Sequence, residues 1–229
     1  MPPSAPPLDV MTALTRDLAT AVVGDVLDQM GFRRQFLPPE IRPLTDTMKI
    51  AGRAMPVLEA DFDADDPSPS GPYANKPFGV MLEALDDLKP GEIYIASGGS
   101  LSYALWGELM STRAMHLKAA GAILDGYIRD ATQIEGLGFT VFSRGLYAQD
   151  QGPRGKVIDF RTAIEIGGVR VAPGDLLFGD REGVLVIPRE AEQEAVRRAL
   201  EKSATENKVG DAIRAGMGAA AAFAKFGVM

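Results

Sequence analysis

The segment Trp106–Asp130, WGELMSTRAMHLKAAGAILDGYIRD, constrains this chain more than any other. Its spacing predicts a helix from about Gly107 to Ala119, roughly 20 Å long at the usual helical rise. An extended stretch over Gly121–Ile128 then returns over roughly 25 Å. Out along a helix and back along a strand brings Arg129 and Asp130 next to Glu108. Two carboxylates and a guanidinium then meet beside the free N–H groups of a helix N-terminus. Such a cluster can hold a hard metal ion and an anionic substrate together. On residue types alone, the Arg-Asp pair reads first as a surface ion pair or a turn, the usual fate of such a dipeptide, and Glu108 as a complement to the helix dipole.

The side-chain inventory narrows the chemistry. The chain has no cysteine, which removes thiolate nucleophiles, disulfides and Cys-ligated zinc. His116 is its one histidine, so any Ser–His–Asp triad must pass through it. It falls near the far end of the predicted helix, where a surface histidine beside the C-terminal dipole is the simpler reading. A bound metal would therefore have oxygen ligands, which favours Mg²⁺ or Mn²⁺. The net charge of −7 argues against nucleic acid or an anionic membrane as partner. No apolar run of about 18 residues predicts a membrane span. The N-terminal MPPSAPPLDV lacks the pattern of a signal peptide, and the cytoplasm is the expected location.

Strands and helices alternate along the 229 residues, which predicts an α/β fold with a mixed sheet. After a Pro-rich arm over residues 1–8, Leu8–Leu18 and Thr20–Met30 read as short helices, with Thr20 as N-cap. Met48–Glu59 reads as an irregular strand because of Gly52 and Pro56. Asp61–Pro77 is an acidic Pro/Ser/Gly loop, and Phe78–Leu88 an amphipathic helix. Glu92–Ala96 reads as a strand, and Ser97-Gly98-Gly99-Ser100 as a turn that opens the helix carrying Trp106 and Glu108. A strand, glycine turn and helix in that order form a generic anion-binding device. Ala122–Asp125 and Thr140–Ser143 read as strands on either side of a helical turn at Ala131–Gly136. From Lys156 five short β segments follow, which predicts hairpins or a compact β layer, with Asp180 as a turn residue. Arg189–Asn207 and Asp211–Phe226 read as two helices. The expected organisation is one α/β catalytic domain over residues 1–188 and a C-terminal helical extension over 189–229.

Several of these motifs together resemble the regulator of ribonuclease activity A family. They are Gly107-Glu108, the GAILDG run at Gly121–Gly126, Arg129-Asp130, Gly167-Gly168-Val169, Pro173-Gly174-Asp175 and Asp180 through Pro188. The similarity spans roughly residues 20–190. It is greatest to the 4-hydroxy-4-methyl-2-oxoglutarate / 4-carboxy-4-hydroxy-2-oxoadipate aldolases, which carry an acid, twenty residues, then Arg-Asp. That pattern corresponds here to Glu108 and Arg129-Asp130, with glutamate where the aldolases usually have aspartate.

The resemblance implies a swivelling β/α/β fold, homo-oligomers built as trimers or hexamers, and a site near a subunit interface. It also implies a class II aldolase that uses Mg²⁺ or Mn²⁺ on a 2-oxo acid, with oxaloacetate decarboxylase activity. Asp130 would ligate the metal, and Glu108 would reach it through water. Arg129 would stabilise the enolate oxygen, and backbone N–H groups around Gly107, Glu108 and Leu109 would hold the substrate carboxylate. Glu206 falls where the aldolases carry an acid that approaches a neighbouring subunit's metal through water; a solvated helix glutamate is the alternative reading. The group beyond the pyruvate unit would be read by loops such as Asp61–Pro77 or Phe142–Arg154. Two other functions stay in view. One is a non-catalytic regulator that binds a ribonuclease, disfavoured by the extension past Pro188. The other is a methyltransferase, disfavoured because no nucleotide-binding glycine loop is present.

Overall fold

The computed structural model describes residues 9–65, 73 and 75–228. The expected Pro-rich arm and much of the acidic loop lie outside these residues. Contacts group the chain into two compact units, Arg34–Arg189 on the one hand and the segments up to Arg33 and from Glu190 on the other.

In chain order, α1 (Val10–Thr12) runs into a π-helical turn at Ala13–Asp17, followed by α2 (Thr20–Gln29). Next come β1 (Arg42–Pro43), β2 (Ile50–Asp61), α3 (Met81–Asp86), β3 (Glu92–Ser97), β4 (Ala104–Trp106) and α4 (Glu108–His116). The middle of the chain forms β5 (Gly121–Leu124), β6 (Tyr127–Ile128), α5 (Ala131–Leu137), β7 (Val141–Ser143) and β8 (Gly145–Leu146). Five strands follow: β9 (Gly155–Phe160), β10 (Ile164–Ile166), β11 (Val169–Val171), β12 (Leu176–Asp180) and β13 (Gly183–Ile187). The chain closes with α6 (Glu192–Arg214) and α7 (Ala219–Phe226).

The fold is α/β, built on a mixed eight-stranded sheet of order β1-β7-β5-β3-β2-β12-β13, with β9 also on β2. β2, β3, β5 and β7 are parallel neighbours, and the remaining pairings are antiparallel. Because side chains alternate across a strand, each central strand feeds two cores. Tyr94, Ala96, Ala122 and Leu124 face Met81, Leu85, Ala114 and Ile134 from the helices. Ile93, Ile95 and Ile123 face the layer containing Ile164, Ile166, Val169 and Val171. Burial on both faces explains why EIYIA reads as an unbroken apolar run.

Pro56 sits inside β2, a central strand, without breaking it. Arg53 bonds toward β3, whereas Ala54 bonds toward the other edge, its N–H meeting the Asp175 carbonyl at 2.8 Å. The missing N–H of Pro56 therefore falls on that other edge, between the end of the β12 pairing at Arg53 and the start of the β9 pairing at Val57. No ladder bond is lost there.

Several element boundaries depart from the sequence reading. The expected helix at Phe78 begins only at Met81, because Phe78 and Gly79 both have positive φ and Gly79 bridges to Val157. Thr20 is the first residue of α2 rather than its cap; Ala19 holds the cap position. The expected continuous strand Gly121–Ile128 divides in two. β5 stays in the main sheet, while β6 pairs with β4 and β8 in a separate three-stranded parallel sheet. The expected break near Asn207–Gly210 is absent. α6 runs through Gly210, with Val209 buried, and ends at Arg214, two residues before Gly216, whose φ is +97°. The β-rich region does form two hairpins, β10–β11 and β12–β13, the second joined to β2. Asp180 sits at the β12–β13 turn, its Oδ1 accepting from the Glu182 N–H at 2.9 Å.

Candidate active site

β4 and β6 carry the site. Their parallel pairing sets Trp106 opposite Ile128, and the Arg129 N–H continues it by donating to the Trp106 carbonyl at 3.0 Å. The chain then turns sharply at Asp130, whose φ of 59° and ψ of 35° are left-handed, into α5. Aspartate tolerates this conformation better than bulkier residues, and strain of this kind concentrates at functional positions.

The turn aims the Asp130 carboxylate at the start of α4. Its Oδ2 accepts from the backbone N–H of Glu108 at 3.1 Å and lies 3.8 Å from Nε of Arg129. Gly107 makes this approach possible. Its backbone is extended, so conformation does not demand glycine, but a Cβ there would sit 2.7 Å from Asp130 Oδ2. The sequence pair Gly107-Glu108 thus serves Asp130 through absent bulk and one N–H. The Glu108 side chain folds back along its helix, where Oε1 accepts from Thr112 Oγ1 at 3.2 Å. Expected convergence of Glu108, Arg129 and Asp130 is found, with the Glu108 backbone rather than its carboxylate in contact with Asp130.

A second acid joins them that sequence reasoning did not single out. Asp150, in the loop after β8, pairs with Arg129 Nη1 at 2.8 Å. Only its place inside the expected Phe142–Arg154 region hinted at it. Arg129, Asp130 and Asp150 stand at a cavity of about 430 Å³. Apart from Gln151, its other walls are mainly apolar: Met81 and Leu85 on α3, Leu109 and Met110 on α4, and Leu105 and Trp106 on β4. Trp106 is fixed from both sides. Its indole N–H donates to Ser111 Oγ at 2.7 Å, and that hydroxyl donates to the Gly107 carbonyl at 3.1 Å. Its ring stacks on Phe139 at 6.1 Å between centroids.

Behind this wall lies a further acid that the sequence reading passed over as the last residue of a strand. Glu59 is 2 % exposed, and its Oε2 accepts from the amide of Gln151, a cavity residue, at 2.7 Å. Its Oε1 has no partner. Burial pushes the Glu59 carboxyl up to about 8, against the smaller opposing effect of the Gln151 hydrogen bond.

The expected anion-binding turn is built differently. No helix follows Ser97–Ser100, because β4 intervenes. The Ser100 N–H is also already committed to Asp61 Oδ1 at 2.8 Å, and the Tyr103 hydroxyl donates to the same oxygen at 2.9 Å. Asp125 is held by Arg144 at 2.7 Å and Ser97 at 3.1 Å, and His116 is exposed at the end of α4. Glu206 lies on α6, where it pairs with Lys202, which also reaches Asp25 at 2.9 Å.

Among the described residues no group of three or more His, Cys, Asp or Glu side chains forms a metal cage. What the site offers is the Asp130 carboxylate, 40% exposed, whose Oδ1 makes no hydrogen bond among the described residues. That suits a hard ion of the Mg²⁺ type, which keeps several waters and takes one or two carboxylates plus substrate oxygens. It does not suit zinc.

The family model described as RraA-like, Aldolase/RraA, matches residues 20–186. The chain belongs to this family. RraA-like relatives include protein DlpA of Legionella pneumophila, 28% identical over 91% of this chain. The match covers only 33% of DlpA's own length. A protein of Halalkalibacterium halodurans named "Putative 4-hydroxy-4-methyl-2-oxoglutarate aldolase" is 29% identical, over 83% of this chain and 82% of that one. Among solved structures, Streptomyces coelicolor RraAS2, described as an unusual member of the RNase ES inhibitor RraA family, superposes with a TM-score of 0.75. It covers 90% of this chain and 98% of its own at 23% identity, a likeness of fold. No helix among the described residues is long and apolar enough to cross a membrane.

Proposed function

We propose that this RraA-like protein is a divalent-metal-dependent aldolase that cleaves a 4-hydroxy-2-oxo acid to release pyruvate, and that it decarboxylates oxaloacetate at the same site. One observation carries the reading. The Asp130 carboxylate is held by the N-terminus of α4 beside Arg129, with one oxygen open and a ligand-sized cavity in front of it. Names of relatives at 29% identity and similar levels support the aldolase class.

Asp130 would hold Mg²⁺ or Mn²⁺, with Glu108 acting through water. When bound, the ion supplies a Lewis acid that draws charge from the keto oxygen of a 2-oxo acid. Arg129 donates to that same oxygen as it gains charge, and Asp150 keeps the guanidinium in place. A water oriented by Arg129 accepts the proton of the 4-hydroxyl. The C3–C4 bond breaks, its electron pair forms the enolate of pyruvate, and C4 becomes a carbonyl. Protonation at C3 completes pyruvate. In oxaloacetate the same bond breaks with loss of CO₂, so one enolate serves both reactions.

A cytoplasmic trimer or hexamer belongs to the same proposal, with Glu206 of the partner subunit approaching the metal through water. The test is pyruvate release from oxaloacetate and 4-hydroxy-4-methyl-2-oxoglutarate with Mg²⁺, Mn²⁺ or excess chelator. Metal-dependent pyruvate from either supports the reading. A folded, metal-supplied protein that releases none from either rejects both substrates. The likeness of fold to RraAS2 then makes the non-catalytic regulator the leading alternative.

A further inference from the structure

Most polar side chains lining the cavity are already engaged. Arg129 pairs with Asp150 at 2.8 Å, Asp130 accepts from the α4 N-terminus, and the Trp106 N–H is given to Ser111. Gln151 differs from them. It is 5% exposed and is fixed at both ends. Its backbone carbonyl accepts from the N–H groups of Arg154 at 2.7 Å and Gly155 at 2.9 Å, and its side-chain amide donates to Glu59 Oε2 at 2.7 Å. That last bond uses one of the two amide N–H groups. The second N–H and the amide oxygen make no hydrogen bond among the described residues. A buried amide left with open groups is costly to a fold, and on a cavity wall a ligand can complete it.

Resting on the aldolase reading, we infer that Gln151 recognises the 4-hydroxyl group of the substrate, and that Glu59 holds its amide for this contact. In that reading Arg129 meets the keto oxygen, and Asp150, the partner of Arg129, precedes Gln151 in the chain. C4 is two bonds from the keto carbon, so its hydroxyl falls close to the group that Arg129 binds. The open N–H of Gln151 donates to the hydroxyl oxygen, which leaves the hydroxyl's own proton free to depart as the C3–C4 bond breaks. Gln151 thus touches the substrate, whereas Glu59 acts through it as a positioning residue. A site that hydrogen-bonds a hydroxyl discriminates against a ligand that lacks one, because its own buried groups then stay unpaired.

The experiment compares two ligands that differ by that hydroxyl and, lacking a ketone, cannot be cleaved: 2,4-dihydroxyglutarate and 2-hydroxyglutarate. Binding of each to the full chain is measured by calorimetry in Mn²⁺, alongside pyruvate release from 4-hydroxy-4-methyl-2-oxoglutarate. The wild type is expected to bind the dihydroxy acid about fivefold more tightly. Gln151→Met is expected to remove that preference. Glu59→Gln, whose amide oxygen still accepts from Gln151, is expected to keep it, and Glu59→Met to lose most of it. Each ratio is read on one protein sample, so a fraction of unfolded variant cancels. Equal binding of the two acids by the wild type overturns the inference, as does failure of both to bind. A preference that survives Gln151→Met overturns it too, and one that survives Glu59→Met overturns the part given to Glu59. The hydroxyl preference without any pyruvate release sustains the contact and rejects the aldolase reading. Pyruvate release without the preference does the reverse, so the two failures are told apart.

Discussion

Asp130 lines the cavity and Glu59 lies behind it, under Gln151, and their surroundings differ accordingly. The Asp130 side chain is 40% exposed, with a backbone N–H and a guanidinium as partners and one oxygen open. Glu59 is sealed behind Gln151 with one oxygen bare, and burial pushes its carboxyl up to about 8. A guanidinium and a helix N–H orient the first carboxylate, while burial favours the neutral form of the second. The chemistry of an acid in this protein is therefore set by what the fold brings to it from elsewhere in the sequence.

The contrast breaks first at Asp130. Asp130→Ala is expected to lower pyruvate release about 10³-fold in steady-state assays, with the far-UV circular dichroism unchanged. Retained turnover would move the chemistry to another group. Gly107→Ala tests how that carboxylate is held. The added Cβ would stand 2.7 Å from Oδ2, so the acid must shift, and a loss of about 10² in kcat/KM is expected without loss of fold.

Glu59 tests the other side. Its folded carboxyl titrates near 8, above the ordinary 4.5, so the native state holds more protons than the unfolded chain between those values. Stability therefore falls as pH rises across that window and levels off above about 8. Glu59→Gln removes the titration. Urea denaturation is expected to show the wild type losing about 4 kcal/mol relative to Glu59→Gln between pH 5 and pH 8.5. Parallel pH profiles for the two proteins would mean that Glu59 is already ionised in the fold. The smallest effect is expected at Asp150. Asp150→Asn keeps a hydrogen-bond acceptor for Arg129 but removes the charge, and about a tenfold fall in kcat/KM should result.

The difference between the two acids also marks what was legible in the sequence. Asp130 was legible because its partners are near in the chain: a helix and a strand of known rise bring it back to Glu108. Even so, the reading credited the Glu108 carboxylate with a contact that its backbone N–H makes, because a periodicity argument does not say where a side chain points. The Ser97–Ser100 turn misled for a related reason. β4 is three residues long, too short to leave a pattern, and its insertion removes the helix that an anion site needs. Asp150 and Gln151 sit in a stretch with no periodicity, and only the closure of the loop after β8 brings them to Arg129 and Glu59. Glu59 occupies an ordinary place near the end of a strand, and its burial depends on Gln151, ninety-two residues away. Local rises and periods were readable, whereas long-range meetings of single side chains were not. The strand order had no such local signature, although the mixed sheet as a class did.

The account's central claim is that Asp130 is the side chain through which this chain holds a divalent ion. Electron paramagnetic resonance of Mn²⁺, titrated into the wild type and into Asp130→Asn, tests it without reference to substrate or turnover. The account predicts one saturable site in the wild type and at least a tenfold loss of affinity in the variant. Equal Mn²⁺ binding by the two proteins, or none by the folded wild type, would contradict it.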